Sequence, residues 1–330
     1  MKRIAWALSL ILAIVISGGT GQAAEPLASW QDGNAKAAII DFVEQVSQEG
    51  GPHYVAPAKR IAVFDNDGTL WSEKPVYFQL LFAIDRIKAL AAENPDWKDR
   101  QPFKAVLEND MEALAKSGKK GIAELVMASH AGMSTEEFEK IASDWIAKAR
   151  HPKTGKPYTE MVFQPMLELL QYLRNHDFKT YIVSGGGIEF MRPWVGKVYG
   201  IPPEQVVGSK IKVEYKLVGG KPILLRLPEL DFVDDKAGKP VGIHQHIGIR
   251  PIAAFGNSDG DFEMLEWVTS GDGLRLGMLV HHDDAAREAA YDRDSHVGRL
   301  NRGLDEGPGR GWVMTSMKND WKCVFADQCK

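Results

Sequence analysis

From Asn34 to Val46 the apolar residues Ala38, Ile39, Phe42, Val43 and Val46 recur at helical spacing and predict an amphipathic opening helix, ended by Gly50-Gly51-Pro52. Ile61-Ala62-Val63-Phe64 is a short continuous apolar run that leads into Asp65-Asn66-Asp67-Gly68-Thr69. Such a run, opening into polar residues and glycine, predicts a buried parallel strand that ends in a loop. Three further runs share this form. Thr180 to Val183 leads into Ser184-Gly185-Gly186-Gly187, Pro251 to Phe255 into Gly256-Asn257-Ser258-Asp259-Gly260-Asp261, and Leu276 to Val280 into His281-His282-Asp283-Asp284. Between Val207 and Leu227 the alternation of Ile211, Val213, Tyr215 and Leu217, with Gly219-Gly220 as the turn, predicts a β-hairpin. Apolar strands separated by helix-length segments, among them the face of Met166, Leu169, Leu170 and Leu173, predict an open α/β sheet. Ligands bind such sheets beyond the carboxyl ends of the strands, where these polar loops gather.

Between the first two strands the texture is helical. Tyr77, Leu80, Leu81, Ile84 and Ile87 mark one face, and Ser134-Thr135-Glu136-Glu137 forms a capping box ahead of Phe138, Ile141 and Trp145. The expected organisation is therefore a core of residues 24–74 and 161–330 with a helical insertion at 75–160. Roughly 300 residues exceed what one small core holds, in keeping with an inserted domain.

Residues 1–23 have the order of a secretory signal peptide: Lys2 and Arg3, an apolar run from Ile4 to Ile16, then Gly21-Gln22-Ala23. The apolar run is shorter than the roughly 20 residues a membrane helix needs. The expectation is a cleaved leader and an exported chain, periplasmic or secreted, with no stable membrane anchor. The leader holds two of the 40 basic residues and none of the 44 acidic ones, so its removal moves the formal charge from −4 to −6. With no long basic run, nucleic acid is not an expected partner. Cys323 and Cys329 lack metal or redox spacing; in an oxidising compartment they would close a small disulfide loop, and otherwise remain free thiols.

The chemistry concentrates at the predicted strand ends. Asp65 and Asp67 place two carboxylates at one loop, where Mg²⁺ would hold the first against a substrate phosphate. Asp65 would attack phosphorus, and Asp67 would protonate the leaving oxygen and later take a proton from water. Ser184, Gly185 and Gly186 offer a hydroxyl and unhindered amides at a helix start, a phosphate cradle. A cation is needed beside it. Lys239 fits because Gly238-Lys239-Pro240 resembles a helix start, while Lys236 is the alternative. Asn257, Asp259 and Asp261 offer further oxygens for the metal. His244 and His246, like His281 and His282, lack ligand spacing and are expected at the surface.

The ordered set Asp65-x-Asp67-Gly-Thr69, Ser184-Gly-Gly, Lys239 and Gly256-Asn257-x-x-x-Asp261-x-x-Met-Leu resembles the motifs of the haloacid dehalogenase superfamily, and within it the phosphoserine-phosphatase-like phosphatases. The resemblance spans about Ile61 to Leu265. It implies a Rossmann-like core, a helical cap between the first two motifs, Mg²⁺ and a phosphoaspartate intermediate. It assigns Thr69, Ser184, Gly185, Gly186 and Lys239 to substrate, and Asp65, Asp67, Asn257 and Asp261 to the metal. Three features depart from the pattern. Asn257 stands where the family has Asp, Glu73 lies one position before the substrate-reading Glu of phosphoserine phosphatases, and the interval from Lys239 to the last motif is short, which keeps Lys236 open. Trp71, at the cap hinge, is expected either to pack there or to line the leaving-group pocket. The expected activity is hydrolysis of a small phosphomonoester; the alternative is a non-catalytic phosphoester-binding protein with a degenerate metal site.

Overall fold

The computed structural model describes residues 25–329. The signal-peptide expectation concerns residues that lie outside this range. Along the chain, α1 (Asn34–Ser47), β1 (Ile61–Phe64), α2 (Phe78–Leu90), α3 (Phe103–Glu108), α4 (Met111–Lys116), α5 (Gly118–His130), α6 (Thr135–Ile146), α7 (Gln164–Asn175), β2 (Lys179–Gly187) and α8 (Ile188–Tyr199) come first. They are followed by β3 (Val206–Val218), β4 (Lys221–Phe232), α9 (Gly238–His246), β5 (Ala253–Gly256), α10 (Phe262–Thr269), β6 (Leu276–Asp283), β7 (Ala290–Tyr291), α11 (Arg302–Glu306), β8 (Val313–Ser316) and α12 (Met317–Asp320).

One sheet of eight strands organises the chain in the order β4-β3-β2-β1-β5-β6-β7, with β8 also paired to β6. Strands β3, β2, β1, β5, β6 and β8 run parallel, while β4 and β7 are antiparallel to their neighbours. This is the Rossmann-like α/β architecture expected from the apolar runs. Strand β1 is buried at every residue, as its unbroken Ile-Ala-Val-Phe sequence requires of a central parallel strand. Successive strands are added on one side of β1 through β2 and β3, then on the other through β5 and β6. That reversal opens a crevice at the carboxyl ends of β1, β2 and β5.

The predicted hairpin is not a separate unit. Strand β3 begins parallel beside β2, at Val206 to Ser209, and only then leaves the sheet to pair with β4. The Gly219-Gly220 turn has φ of 56° and 79°, the pair of positive angles that a two-residue type I′ connection demands and that glycine supplies without strain.

The helical insertion divides in two. Ile84, Ile87, Trp97, Phe103, Val106, Leu114 and Leu125 form a small core of their own across α2 to α5. Phe82 of α2, together with Phe138, Ala142 and Ile146 of α6, joins instead the main cluster that covers the sheet through Phe190 of α8. The cap is thus tied to the core through α6. It is also tied to the hairpin: Gly132 donates to the Arg226 carbonyl at 2.9 Å, and Arg226 to that of Met133 at 3.0 Å. The capping box appears as read, with Ser134 and Glu137 each accepting the other's amide. Cys323 and Cys329 are disulfide-bonded. Among the described residues no helix is long and apolar enough to cross a membrane.

Candidate active site

Asp65 follows β1 directly, and its amide donates to the Phe255 carbonyl of β5 at 2.9 Å, which fixes the start of the loop to the sheet. The loop then closes on itself, with Thr69 and Leu70 donating to the Asn66 carbonyl and Gly68 to that of Trp71. The Asn66 side chain turns away from the crevice and accepts from the buried Tyr199 hydroxyl at 3.0 Å. Gly68 has φ of 77°, and a Cβ there would lie 2.0 Å from Asn257 Nδ2 and 2.5 Å from Glu73 Oε1. Only glycine meets both conditions.

Lys239 is 2 % exposed, in the first turn of α9, and reaches the crevice from below. Its ammonium donates to Asp65 Oδ1 at 2.6 Å, Asp261 Oδ1 at 2.6 Å and the Val183 carbonyl at 2.7 Å, satisfying all three donors. Lys236, by contrast, is solvent-exposed with φ of 53°, and its amide serves the Gly260 carbonyl. The structure therefore brings Lys239, and not Lys236, to the two aspartates.

Ser184 ends the buried part of β2, its Oγ accepting from the Gly186 amide at 3.1 Å. A Cβ on Gly186 would lie 3.3 Å from Ser184 Oγ and 3.8 Å from Asp67 Oδ2, so the loops after β1 and β2 face each other across this glycine. Gly185 and Gly186 line the same cavity. Gln79 of the cap enters here, accepting from the Gly187 amide at 2.6 Å at the start of α8.

The loop after β5 differs from its expected use. Both Asp261 oxygens are already engaged, Oδ2 accepting from the amides of Asn257 and Ser258, both at 3.0 Å, and Oδ1 holding Lys239. Asp261 organises the loop and the lysine. Asp259 turns away, accepting from the amides of Asn301 and Gly303, both at 3.0 Å. Asn257 sits between Thr69, whose hydroxyl donates to its Oδ1 at 3.3 Å, and Glu73, to whose Oε1 its amide donates at 2.8 Å. Thr69 is thus placed on Asn257 and is wholly buried. Tyr291 donates to the same Glu73 oxygen at 2.8 Å, so Glu73 reaches the site as a neighbour of the loop after β5.

Electrostatics follow from burial. Burial alone would lower the Lys239 pKa, but Asp261 and Asp65 hold it well above the usual lysine value. Burial and then the Asp261 charge push Asp65 up, against the pull of Lys239. The two shifts oppose each other because one ammonium is shared by two carboxylates; the lysine stays charged and the excess is negative. Burial also lifts Glu73 well above the carboxylate range. It raises Asp67 to about 6, while a hydrogen bond of 2.8 Å from Trp71 Nε1 holds it back. Trp71 itself is 1 % exposed, stacked on Trp194 with centroids 4.3 Å apart. It packs and orients Asp67, and it does not line the cavity.

Sequence reasoning missed His282. It is buried, its Nε2 donating to the Gly68 carbonyl at 2.7 Å and its Nδ1 facing Glu288 at 3.4 Å, which corrects the surface expectation. The alternation of β6 past Val280 was the available signal, since it turns His282 inward and His281 outward.

Among the described residues no group of three or more His, Cys, Asp or Glu side chains converges as a metal cage. The site nonetheless fits a hard divalent cation. Three carboxyls, from Asp65, Asp67 and Glu73, line the crevice that holds the single Lys239 ammonium, and burial disfavours their ionisation unless more positive charge is supplied.

The chain belongs to the haloacid dehalogenase-like hydrolases, whose family model matches residues 62–266. No curated protein matches it in sequence. A protein of unknown function from Bordetella pertussis Tohama I is similar in structure, with a TM-score of 0.50 at 14% identity, covering 78% of this chain and 98% of that one. A functionally unknown protein from Anaerococcus prevotii aligns with a TM-score of 0.46 at 18% identity, over 76% of this chain and 86% of its own. A phosphoserine phosphohydrolase-like protein from Francisella tularensis aligns with a TM-score of 0.38 at 17% identity, over 76% and 98% of the two chains.

Proposed function

We propose that this hydrolase is an exported, Mg²⁺-dependent phosphatase that cleaves a small phosphomonoester through a phosphoaspartate on Asp65. The observation that carries this reading is the placement of two carboxyls of different character at one strand end. Asp65 is held by Lys239, while Asp67 sits at about 6 beside it. One carboxyl pinned to a cation and its neighbour held by the neutral Trp71 indole suit a nucleophile and a proton carrier.

The substrate phosphate meets the Ser184 hydroxyl, which the Gly186 amide orients, and the Gly185 amide, while the charge of the Lys239 ammonium, held by Asp65, Asp261 and the Val183 carbonyl, offsets that of the phosphate. An Asp65 oxygen attacks phosphorus, the bond from phosphorus to the ester oxygen breaks, and Asp67 gives that oxygen its proton. Asp67, now a carboxylate, takes a proton from water as the water oxygen attacks the same phosphorus. The bond to Asp65 breaks, inorganic phosphate leaves, and Asp67 is again protonated. Asp65, the Asp67 main-chain carbonyl and the Asn257 amide oxygen would hold the Mg²⁺, which when bound neutralises the charge on the transferring phosphoryl oxygens. Gln79 and the cap exclude bulk water from the acyl phosphate.

Export is proposed from the leader pattern at residues 1–23 and is compatible with the Cys323–Cys329 bond. The test of the activity is release of inorganic phosphate from p-nitrophenyl phosphate by the purified chain with and without Mg²⁺. Turnover that requires the metal and Asp65 supports the phosphatase; tight binding of phosphate esters without turnover supports the non-catalytic alternative.

A further inference from the structure

The crevice opens into a cavity of about 720 Å³ that starts at Asp65, Ser184 and Lys239 and extends beneath the cap. This lies in the upper part of the roughly 300–1,000 Å³ range that accepts drug-sized ligands, and far exceeds what a phosphorylated small amino acid needs. Away from the phosphate end its wall is largely apolar, built from Leu80 of α2, Ile122, Val126 and Met127 of α5, Phe190 of α8 and Leu230 of β4.

The charged groups that reach this wall are already engaged. Arg226 ion-pairs with Glu189 and donates to the His130 carbonyl at 2.7 Å. Lys210 pairs with Asp231 at 3.1 Å. His130 is buried, kept neutral, and bonded to Ser129 and Gln79. Only His296 and Asp235, exposed near the mouth, lack such partners among the lining side chains. A zwitterionic leaving group would need a free cation and a free anion on this wall to offset its desolvation, and away from the mouth, where His296 and Asp235 stand, the wall presents neither.

We propose that the leaving group this cavity selects is an uncharged, apolar alkyl or aryl alcohol, so that the substrate is an amphiphilic phosphomonoester and not a phosphorylated amino acid or sugar. The inference rests on the phosphatase reading for its chemistry and on the cavity for its selectivity. Apolar contact along the wall supplies affinity in proportion to buried surface, and the cap contributes most of that surface.

The experiment is a homologous series of n-alkyl monophosphates from methyl to octyl, with O-phosphoserine and glycerol phosphate, assayed by phosphate release with Mg²⁺. The expected kcat/KM rises about three- to fourfold per methylene, leaving octyl phosphate well over 100-fold above methyl phosphate. Val126→Asp and Met127→Glu should each lower the octyl-to-methyl ratio by about tenfold or more, and the near-isosteric Val126→Thr by about threefold. A flat series, a preference for phosphoserine over octyl phosphate, or a ratio unmoved in all three variants overturns the proposal. Binding of the same series to Asp65→Asn by calorimetry separates the two readings. If no ester is hydrolysed but longer esters bind more tightly, the phosphatase reading falls and the apolar selectivity stands; a flat binding series removes the selectivity whether or not turnover occurs.

Discussion

The two ends of the cavity are built on opposite principles. At the floor, Asp65, Lys239, Asp261, Asn257, Glu73 and Thr69 are buried and joined by hydrogen bonds of 2.6 to 3.3 Å, and nearly every polar atom has a specified partner. At the roof, half-buried Leu80, Val126 and Met127 present side chains without directional contacts. A network of shared protons and charges tolerates almost no substitution, because removing one member leaves another buried and unpaired. An apolar wall tolerates many, since its contribution is close to additive in area. Under the proposed function the floor would therefore set the reaction and the roof the choice of substrate.

That contrast can be broken most severely at the nucleophile. Asp65→Asn is expected to reduce phosphate release by about 10⁴-fold or more for every ester, measured under saturating Mg²⁺, because no other group replaces the attacking oxygen. Asp67→Asn should act selectively. Alkyl esters, whose leaving oxygen needs a proton, are expected to slow by about 10²- to 10³-fold, and p-nitrophenyl phosphate much less. The same difference appears with pH. Asp67 is raised to about 6, and as the acid of the proposed first step it would lose its active form as pH rises through that value. Rates for alkyl esters should fall above about pH 6, while the aryl ester lacks this limb.

Two further changes sharpen the account of charge at the floor. Asn257→Asp would set a carboxylate against Glu73, where an amide now donates at 2.8 Å. Without metal the variant should melt lower, and the rise in melting temperature on adding Mg²⁺ should grow, with the half-saturating concentration falling by about tenfold. A smaller effect is expected at Asp234, a wholly buried carboxyl with no side-chain donor bonded to it and only the Ser184 amide directed at it. Burial lifts it from 3.8 to about 7, against the pull of Lys239. With a raised folded-state value, the stability its protonated form contributes is complete below pH 3.8 and lost as pH rises through about 7. Asp234→Asn should therefore stabilise the protein by roughly a few kcal/mol at pH 8, and change little at pH 4, as read from denaturant melts.

Much of the floor was legible in the sequence because each part lies on one short segment with local grammar. The apolar runs before Asp65, Ser184 and Gly256 give β1, β2 and β5, and Gly219-Gly220 gives the hairpin turn. The Gly-Lys-Pro sequence at 238 to 240 places Lys239 at a helix start. The roles of Asn257, Thr69 and Asp261 were not legible at that level, since they arise from which oxygen faces which donor, for Thr69 and Asn257 across 188 residues and for Asp261 and Lys239 across 22. The roof was less accessible still. Its wall combines α2, α5, α8 and β4, and an apolar position on an amphipathic helix is the same in sequence whether it faces a core or a cavity. The C-terminal third also carries little periodic signal. Strands β7 and β8 and the inward turn of His282 and Tyr291 are fixed by pairing with β6 and by contacts to Gly68 and Glu73. They extend the sheet beyond the four apolar runs and the hairpin that local pattern reveals.

The central claim, covalent catalysis at Asp65, is tested most directly by mass spectrometry of the Asp67→Asn variant quenched in acid after mixing with an aryl phosphate and Mg²⁺. Loss of the water-activating carboxyl should let the acyl phosphate accumulate, and the peptide containing Asp65 should gain the mass of one phosphoryl group at that residue. An adduct on another residue, or none at any quench time while phosphate is still being released, would contradict the account.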